Sequence, residues 1–239
     1  PLLVRVGSVV NVFTVLRREF AFTHLVSHEE TGPLWSYERD KQVARWCRGQ
    51  GVVWQEFAQT GVVRRLKSRG GWAARWQRRM GAPLIAAPAG FAGARGVDVQ
   101  DLPTLPQLGM APQHRALPRA GVAAAHDTLH SFLHQRGANY RQDLSSPLTA
   151  AQGCSRLSAH LAFGTLSMRT VHQATEARIA EAAASDDGAD KRFAYHLRGF
   201  AGRLRWHCHF MQKLEDEPQV EQRNFARVCD GLREDEFKR

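Results

Sequence analysis

The sequence predicts two architectures in one chain: a small parallel α/β unit in front and an all-helical unit behind it. Three observations predict this. Strand-like apolar runs alternate with helix-like periodicity over the first sixty residues, the rhythm of a parallel sheet. Six of the ten prolines crowd into residues 81–121, a density that opposes helix interiors and central strands alike. From Val122 onward, apolar residues recur at helical spacing almost to the end.

The elements follow in order. Leu2 to Val6 reads as a short strand ended by Gly7. Ser8 caps a helix with Val9, Val12, Phe13 and Leu16 on one side. Thr23 to Ser27 is a second strand, ending at His28-Glu29-Glu30. Ser36 caps a helix through Cys47, stopped by Gly49 and Gly51. Val52 to Phe57 is a third strand. No GxGxxG occurs, so a dinucleotide fingerprint is not supported. The α/β unit is expected over residues 1–80, a proline-rich connector over 81–121 and the helical unit over 122–239.

In the helical unit, Gly153 gives a flexible entry to Cys154-Ser155-Arg156-Leu157-Ser158, where a helix should begin. Gly164 ends that turn, and Ser167 caps a longer helix to about Ala184. Free N–H groups at such a helix start, with hydroxyls and an Arg beside them, suit an anion; an ordinary capped helix explains the same features. Asp190 to Leu214 is one long helix or two, ended by Glu215-Asp216-Glu217-Pro218.

The chain has 239 residues, 43% hydrophobic, with a formal charge of +10. That charge is uneven: residues 1–124 hold 17 Lys/Arg against 8 Asp/Glu, and residues 125–239 hold 16 against 15. A basic surface favours nucleic acid through counterion release, as against a merely solvated face. Within it, Arg64 to Arg79 carries seven Lys/Arg and no acid, with Trp72 and Trp76 one turn apart. Two readings stand: a phosphate-contacting face with aromatic interleaving, or a helix whose Trp pair docks on the sheet while its arginines face water. Glu29 and Glu30 lie where open α/β sheets bind ligands; solvated loop carboxylates are the favoured reading. His126, His130 and His134 share one helix face, without the carboxylate or Cys spacing of a metal site, so no metal is expected. The four cysteines form no CxxC pair, pointing to free thiols in a reducing, cytoplasmic setting. No apolar run reaches the ~18 residues of a transmembrane helix. Pro1-Leu-Leu-Val-Arg opens without a Met and reads as the interior of something longer.

Three stretches carry a resemblance. Ser155-Arg-Leu-Ser158 with Leu161-Ala-Phe-Gly164 and Leu166-Ser167 resembles the flavin-phosphate segment of the DNA photolyase and cryptochrome family. Phe200-Ala-Gly-Arg-Leu-Arg-Trp-His-Cys-His-Phe210 is similar to the family's helix whose Trp faces the substrate cavity. His28-Glu-Glu-Thr-Gly32 through Tyr37-Glu-Arg-Asp40 looks like its N-terminal α/β domain. The resemblance implies a partial Rossmann-like α/β domain followed by part of a helical FAD-binding domain. It implies FAD held by Tyr140, Cys154, Ser155, Arg156, Leu157 and Ser158, and an antenna pigment of folate or deazaflavin type. It implies damaged DNA as partner, met by Trp206, Arg203, Arg205 and His207, in a chain expected to be monomeric and free of membrane.

The same resemblance marks departures. Cys154 stands where many members have Thr. Arg203 and Cys208 stand where well-known repair members have Glu, and Arg203 cannot accept a hydrogen bond. No catalytic residue falls in this segment. The family's residues that grip the flavin ring and reduce it are expected beyond Arg239, so the chain reads as part of the family's length and as a weak FAD binder by itself. The implied activity is that of a deoxyribodipyrimidine photolyase, a carbon–carbon lyase that splits pyrimidine dimers with light. The alternatives are a cryptochrome-like blue-light photoreceptor without repair, or an inactive truncated product with residual DNA binding.

Overall fold

In the front unit, strand β1 (His24–His28) pairs in parallel with β2 (Val53–Phe57), His24 opposite Val53 and His28 opposite Phe57. Parallel neighbours need a crossover, and helix α2 (Leu34–Gln50) supplies it. Helix α1 (Val9–Phe20) precedes the sheet. The computed structural model describes residues 2–90, 92–93, 96, 100–111 and 117–232. Val43, Cys47 and Val52 form a small core, with Phe13, Phe22, Leu25, Trp46 and Trp54 packed around it. Trp46 Nε1–H donates to Thr14 Oγ1 at 2.9 Å and ties α2 to α1.

Three sequence expectations shift here. Leu2 to Val6 forms no strand; the sheet of the described residues has two strands only, and a single run with no ladder beside it cannot satisfy its backbone. Helix α2 begins at Leu34, not after Ser36, because Pro33 takes the N-cap place with its preset φ of −67°. Ser36 lies inside the first turn and donates to the Pro33 carbonyl at 2.8 Å. Pro33 offers no side-chain acceptor, and the Leu34 N–H instead donates to the Glu221 carboxylate at 2.7 Å. The helix runs past Cys47 to Gln50 and stops where Gly51 turns left-handed, φ +64°.

The second unit is helical: α3 (Trp72–Met80), α4 (Val122–His134), the short α5 (Tyr140–Asp143), α6 (Ala150–Gly153) and α7 (Ser158–Ala162), then α8 (Met168–Ala184) and α9 (Gly188–Asp216). Asp190 to Leu214 therefore lies in one helix, of 29 residues, whose Phe193, Leu197, Phe200, Leu204, Cys208 and Gln212 are buried at three- and four-residue spacing. Its ends follow the sequence signals. Asp187 caps it by accepting from the Ala189 N–H, and the acidic run with Pro218 ends it. Phe132, Tyr140 and Phe200 meet edge to face, with ring centroids 4.6–5.6 Å apart.

Helix α3 packs into this helical core rather than on the sheet. Trp76 lies edge-on to His172 of α8 at 5.0 Å. Trp72 Nε1–H donates to the Gly61 carbonyl at 3.1 Å, and the Gly61 N–H donates to Cys208 Sγ at 3.4 Å. Position 61 admits no side chain, since a Cβ there would sit 2.0 Å from the Trp76 ring. Fully buried Gln212 completes the join like a piece of strand: it accepts from the Val63 N–H at 2.7 Å and donates to the Val63 carbonyl at 2.9 Å. Periodicity reveals that α3 has an apolar face, but not which surface receives it.

Between Gly81 and Gly121 the described residues hold no regular element beyond a 3₁₀ turn at Pro106–Leu108. Other residues of this connector, and the end of the chain after Leu232, lie outside the described set. Among the described residues, no helix is long and apolar enough to cross a membrane.

Candidate functional site

The stretch from Gly153 to Ser158 has an unusual polarity. Cys154 is extended, φ −79° and ψ 158°. Arg156 is left-handed, φ +62°, and Leu157 is near helical, φ −92° and ψ −6°. A left-handed residue next to a right-handed one turns successive N–H groups into a concavity suited to an anion. The N–H groups of Ser155, Arg156, Leu157 and Ser158 have no protein acceptor among the described residues. The carbonyls of Cys154 and Ser155 are taken by Arg136, at 2.5 and 3.1 Å. Leu157, 1% exposed, anchors the loop in the core. Ser158 opens α7 as its first residue and caps nothing. Ser167 does cap α8, accepting from the Thr170 N–H at 3.0 Å.

Gly153 corrects a sequence expectation. It is buried, and a Cβ there would meet Asp143 Cβ at 2.4 Å and Asp143 Oδ2 at 2.2 Å. Close approach, not flexibility, requires glycine here.

Tyr140 sits between Phe132 and Phe200, 7% exposed. Burial pushes its phenol up from the usual tyrosine value, the Cys154 thiol adds to this, and Arg203 pulls the other way. These couplings bring Tyr140, Cys154 and Arg203 of α9 into one electrostatic neighbourhood, although 63 residues separate the first from the last.

On α9 the Arg203 guanidinium lies 4.8 Å over the Trp206 ring, and Trp206 meets Phe210 edge-on at 5.9 Å. Lys213 lies 5.7 Å from the Phe210 ring and 4.3 Å from that of Phe225. Trp206, Phe210 and Phe225 are each about half exposed. Arg205 and His207 are exposed too, but as helix neighbours of Trp206 they project about 100° to either side of it. The structure therefore joins Arg203 to Trp206 and leaves Arg205 and His207 on the flanks. Cys208 faces inward, fully buried, and burial raises its thiol above the ordinary range.

The basic run divides. Arg64 pairs with Glu56 at 2.8 Å, Arg69 with Asp216 at 2.6 Å, and Arg79 donates to the Ala58 carbonyl. Lys67, Arg75 and Arg78 are exposed and pair with no carboxylate among the described residues. At the sheet edge, Glu30 accepts from the Gly32 N–H at 2.6 Å and pairs with Arg39 at 3.0 Å; it folds its own loop. That loop, with Phe13, His28, Glu29 and Trp54, borders a cavity of about 440 Å³. His126, His130 and His134 line a groove against α8 of about 600 Å³, with the His130 and His134 rings 4.4 Å apart. No cluster of three or more His, Cys, Asp or Glu able to hold a metal occurs among the described residues.

Sequence reasoning missed Arg136 and Gln212, the two polar side chains that fix the site's supports. Arg136 carries a faint signal, a cation just past a helix C-terminus. Gln212 carries none.

No family model matches the chain. A curated relative, the deoxyribodipyrimidine photo-lyase of Halobacterium salinarum, is 32% identical over 154 residues, which cover 63% of this chain and 31% of the relative. Among solved structures, a bacterial class III photolyase from Agrobacterium tumefaciens matches 97% of this chain and 49% of its own with a TM-score of 0.72, at 19% identity. That likeness is one of fold, and it spans about half of the solved protein. The chain is thus similar in sequence to a curated photolyase, of which it spans 31%, and similar in fold to a solved photolyase.

Proposed function

We propose that this chain forms part of a light-driven, FAD-dependent enzyme that repairs pyrimidine dimers in DNA. The observation that carries the reading is the Cys154–Ser158 loop, with four N–H groups lacking an acceptor among the described residues and Tyr140 and Arg203 close by. These residues fit the phosphate side of a flavin dinucleotide, because an anion supplies the acceptors that the loop lacks. When bound, FAD supplies light absorption and electron transfer. The protein's part is to bind and orient: the loop N–H groups hold phosphate, and the Arg156 and Ser158 side chains flank it.

The face at Arg203 and Trp206 is the proposed seat of the DNA lesion. A half-exposed indole offers a stacking surface to an extruded base, worth about 1–3 kcal/mol per base in single-strand binders. Arg203 meets phosphate or a base edge as a donor only. Lys67, Arg75 and Arg78 add sequence-independent attraction to the backbone. A second reading, a blue-light photoreceptor without repair, draws on Arg203 and on buried Cys208: neither can receive a hydrogen bond from a dimer at the surface. A cofactor at the β1 edge, of folate or deazaflavin type, belongs to either reading.

The experiment is a set of titrations on the purified protein. Flavin fluorescence should be quenched on binding, with FAD preferred over riboflavin. Affinity for DNA should fall steeply as salt rises and be greater for DNA bearing a thymine dimer. Equal affinity for damaged and undamaged DNA favours the photoreceptor reading. No DNA binding even at low salt, with no flavin quenching, overturns both.

A further inference from the structure

We propose that Arg136 is the positioning residue of the Cys154–Ser158 loop, holding its carbonyls so that its N–H groups stay open to the diphosphate of a flavin dinucleotide. This rests on the flavin reading above and names the residue that prepares the site.

Arg136 stands two residues beyond the end of α4, in a 3₁₀ turn at Arg136–Asn139. Its five N–H donors have five acceptors. Nε donates to Ser131 Oγ at 2.7 Å. One terminal nitrogen donates to the Gln152 and Cys154 carbonyls at 3.1 and 2.5 Å. The other donates to the Thr128 and Ser155 carbonyls, both at 3.1 Å. The guanidinium also lies 5.8 Å from the Phe132 ring. With its donors filled, Arg136 has none left for a ligand, so its role is to place the loop. A lysine cannot repeat this, having three donors and no planar fork.

The acceptors share one property: none is a carboxylate. Burial and the nearby Arg156 charge both pull the Arg136 pKa below the usual arginine value, the Cys154 thiol opposes them, and no carboxylate is among the causes. A half-buried cation held by dipoles without a carboxylate is costly to keep. An acid beside it would lower that cost but would cancel its field at the loop. Drawing the carbonyls inward while leaving the charge unbalanced makes a loop that is electropositive on the side of its N–H groups, and an anionic ligand is the counter-charge that completes it.

The test compares wild type with Arg136→Lys by titrating FAD and riboflavin, which share the ring and differ in the phosphates. Riboflavin affinity should not change, whereas FAD affinity should drop about tenfold, the scale of one charge-assisted hydrogen bond. An unchanged FAD-to-riboflavin ratio overturns the proposal. A wild type with no preference for FAD counts against the flavin reading itself, and amide hydrogen exchange on the unliganded protein then decides the role of Arg136. The Gly153, Cys154 and Leu161 amides, bonded to the carbonyls of Thr149, Ala150 and Leu157, should exchange at least about tenfold faster in Arg136→Lys, with α8 unaffected. Equal exchange in both proteins, or acceleration spread evenly over α8, removes the positioning role.

Discussion

Two loops of this molecule carry charge at the mouth of a structural element, and they handle it in opposite ways. The loop after β1 is closed electrically. Glu30 takes the Gly32 N–H and the Arg39 guanidinium, Arg39 also pairs with Asp40 at 2.8 Å, and Arg39 keeps its proton more tightly than usual, its burial outweighed by these acids. The loop before α7 is open. Its N–H groups have no acceptor among the described residues, and the acceptors of Arg136, which holds it, include no carboxylate. A loop whose charges cancel internally is a device for folding. A loop whose charges do not cancel is paid for by stability elsewhere and is kept for a ligand.

The largest effect should come from disturbing the open loop at its root. Gly153→Ala sets a methyl group 2.4 Å from Asp143 Cβ, an atom fixed to the backbone. Overpacking of this kind costs about 1–3 kcal/mol, and the loop must shift to relieve it. We expect a lower melting temperature and a loss of FAD preference together. In an Asp143→Gly background the same change should cost less than about 1 kcal/mol, since the obstructing atoms are gone. Equal penalties in the two backgrounds would mean that contact with Asp143 does not set the loop.

A smaller and separable effect is expected from the closed loop. Glu30→Ala removes the acceptor for Gly32 and one of the two carboxylates on Arg39. The pair is partly exposed, so screening limits its worth, and about 1 kcal/mol of stability should be lost. Flavin and DNA titrations should not move. If Glu30→Ala instead weakens a ligand while leaving the melting temperature alone, the contrast between the loops fails on this side.

How much of this contrast was legible in the sequence depends on range. Local signals were good guides: Ser167 caps α8, the acidic run with Pro218 ends α9, and Val52 to Phe57 gives a strand within one residue. The partial α/β plus helical class was legible too, because strand and helix periodicities differ. Long-range choices were not. The docking of α3 on α8 and α9 depends on Gly61 and Gln212, far apart in sequence and without a pattern of their own. The entry of α2 looked as though it needed Ser36, yet its first N–H is met by Glu221, 187 residues away. At the candidate site, the family resemblance picked out Tyr140, Cys154 and Arg203, which do come together. It passed over Arg136, whose partners are carbonyls and hence invisible to any motif of side chains.

The smallest predicted effect concerns pH and a histidine beneath α3. The His172 side chain is 5% exposed, its Nδ1 has no hydrogen-bond partner, and its ring abuts Trp76. Burial pushes its pKa below the ordinary value, and the half-exposed Glu176 carboxylate at 3.9 Å offsets that only in part. His196 behaves alike: burial is the main cause of its lowered pKa, and its Nδ1 accepts from the Arg141 N–H at 3.2 Å, which a protonated ring cannot do. A histidine whose pKa falls on folding binds fewer protons folded than unfolded. Its share of stability is complete above the unfolded value near 6.5 and is lost as pH falls through that value toward the depressed one. Melting temperature should therefore decline by on the order of a few degrees between pH 7 and pH 5. His172→Gln, which carries no titrating proton, should flatten part of that decline while lowering stability at pH 7 through poorer packing against Trp76. The Arg136 clamp stays a cation throughout this window, so the ratio of FAD to riboflavin affinity should stay level across it. A ratio that moves with the melting temperature would show that the loop is set by the core beneath α3 rather than by its own clamp.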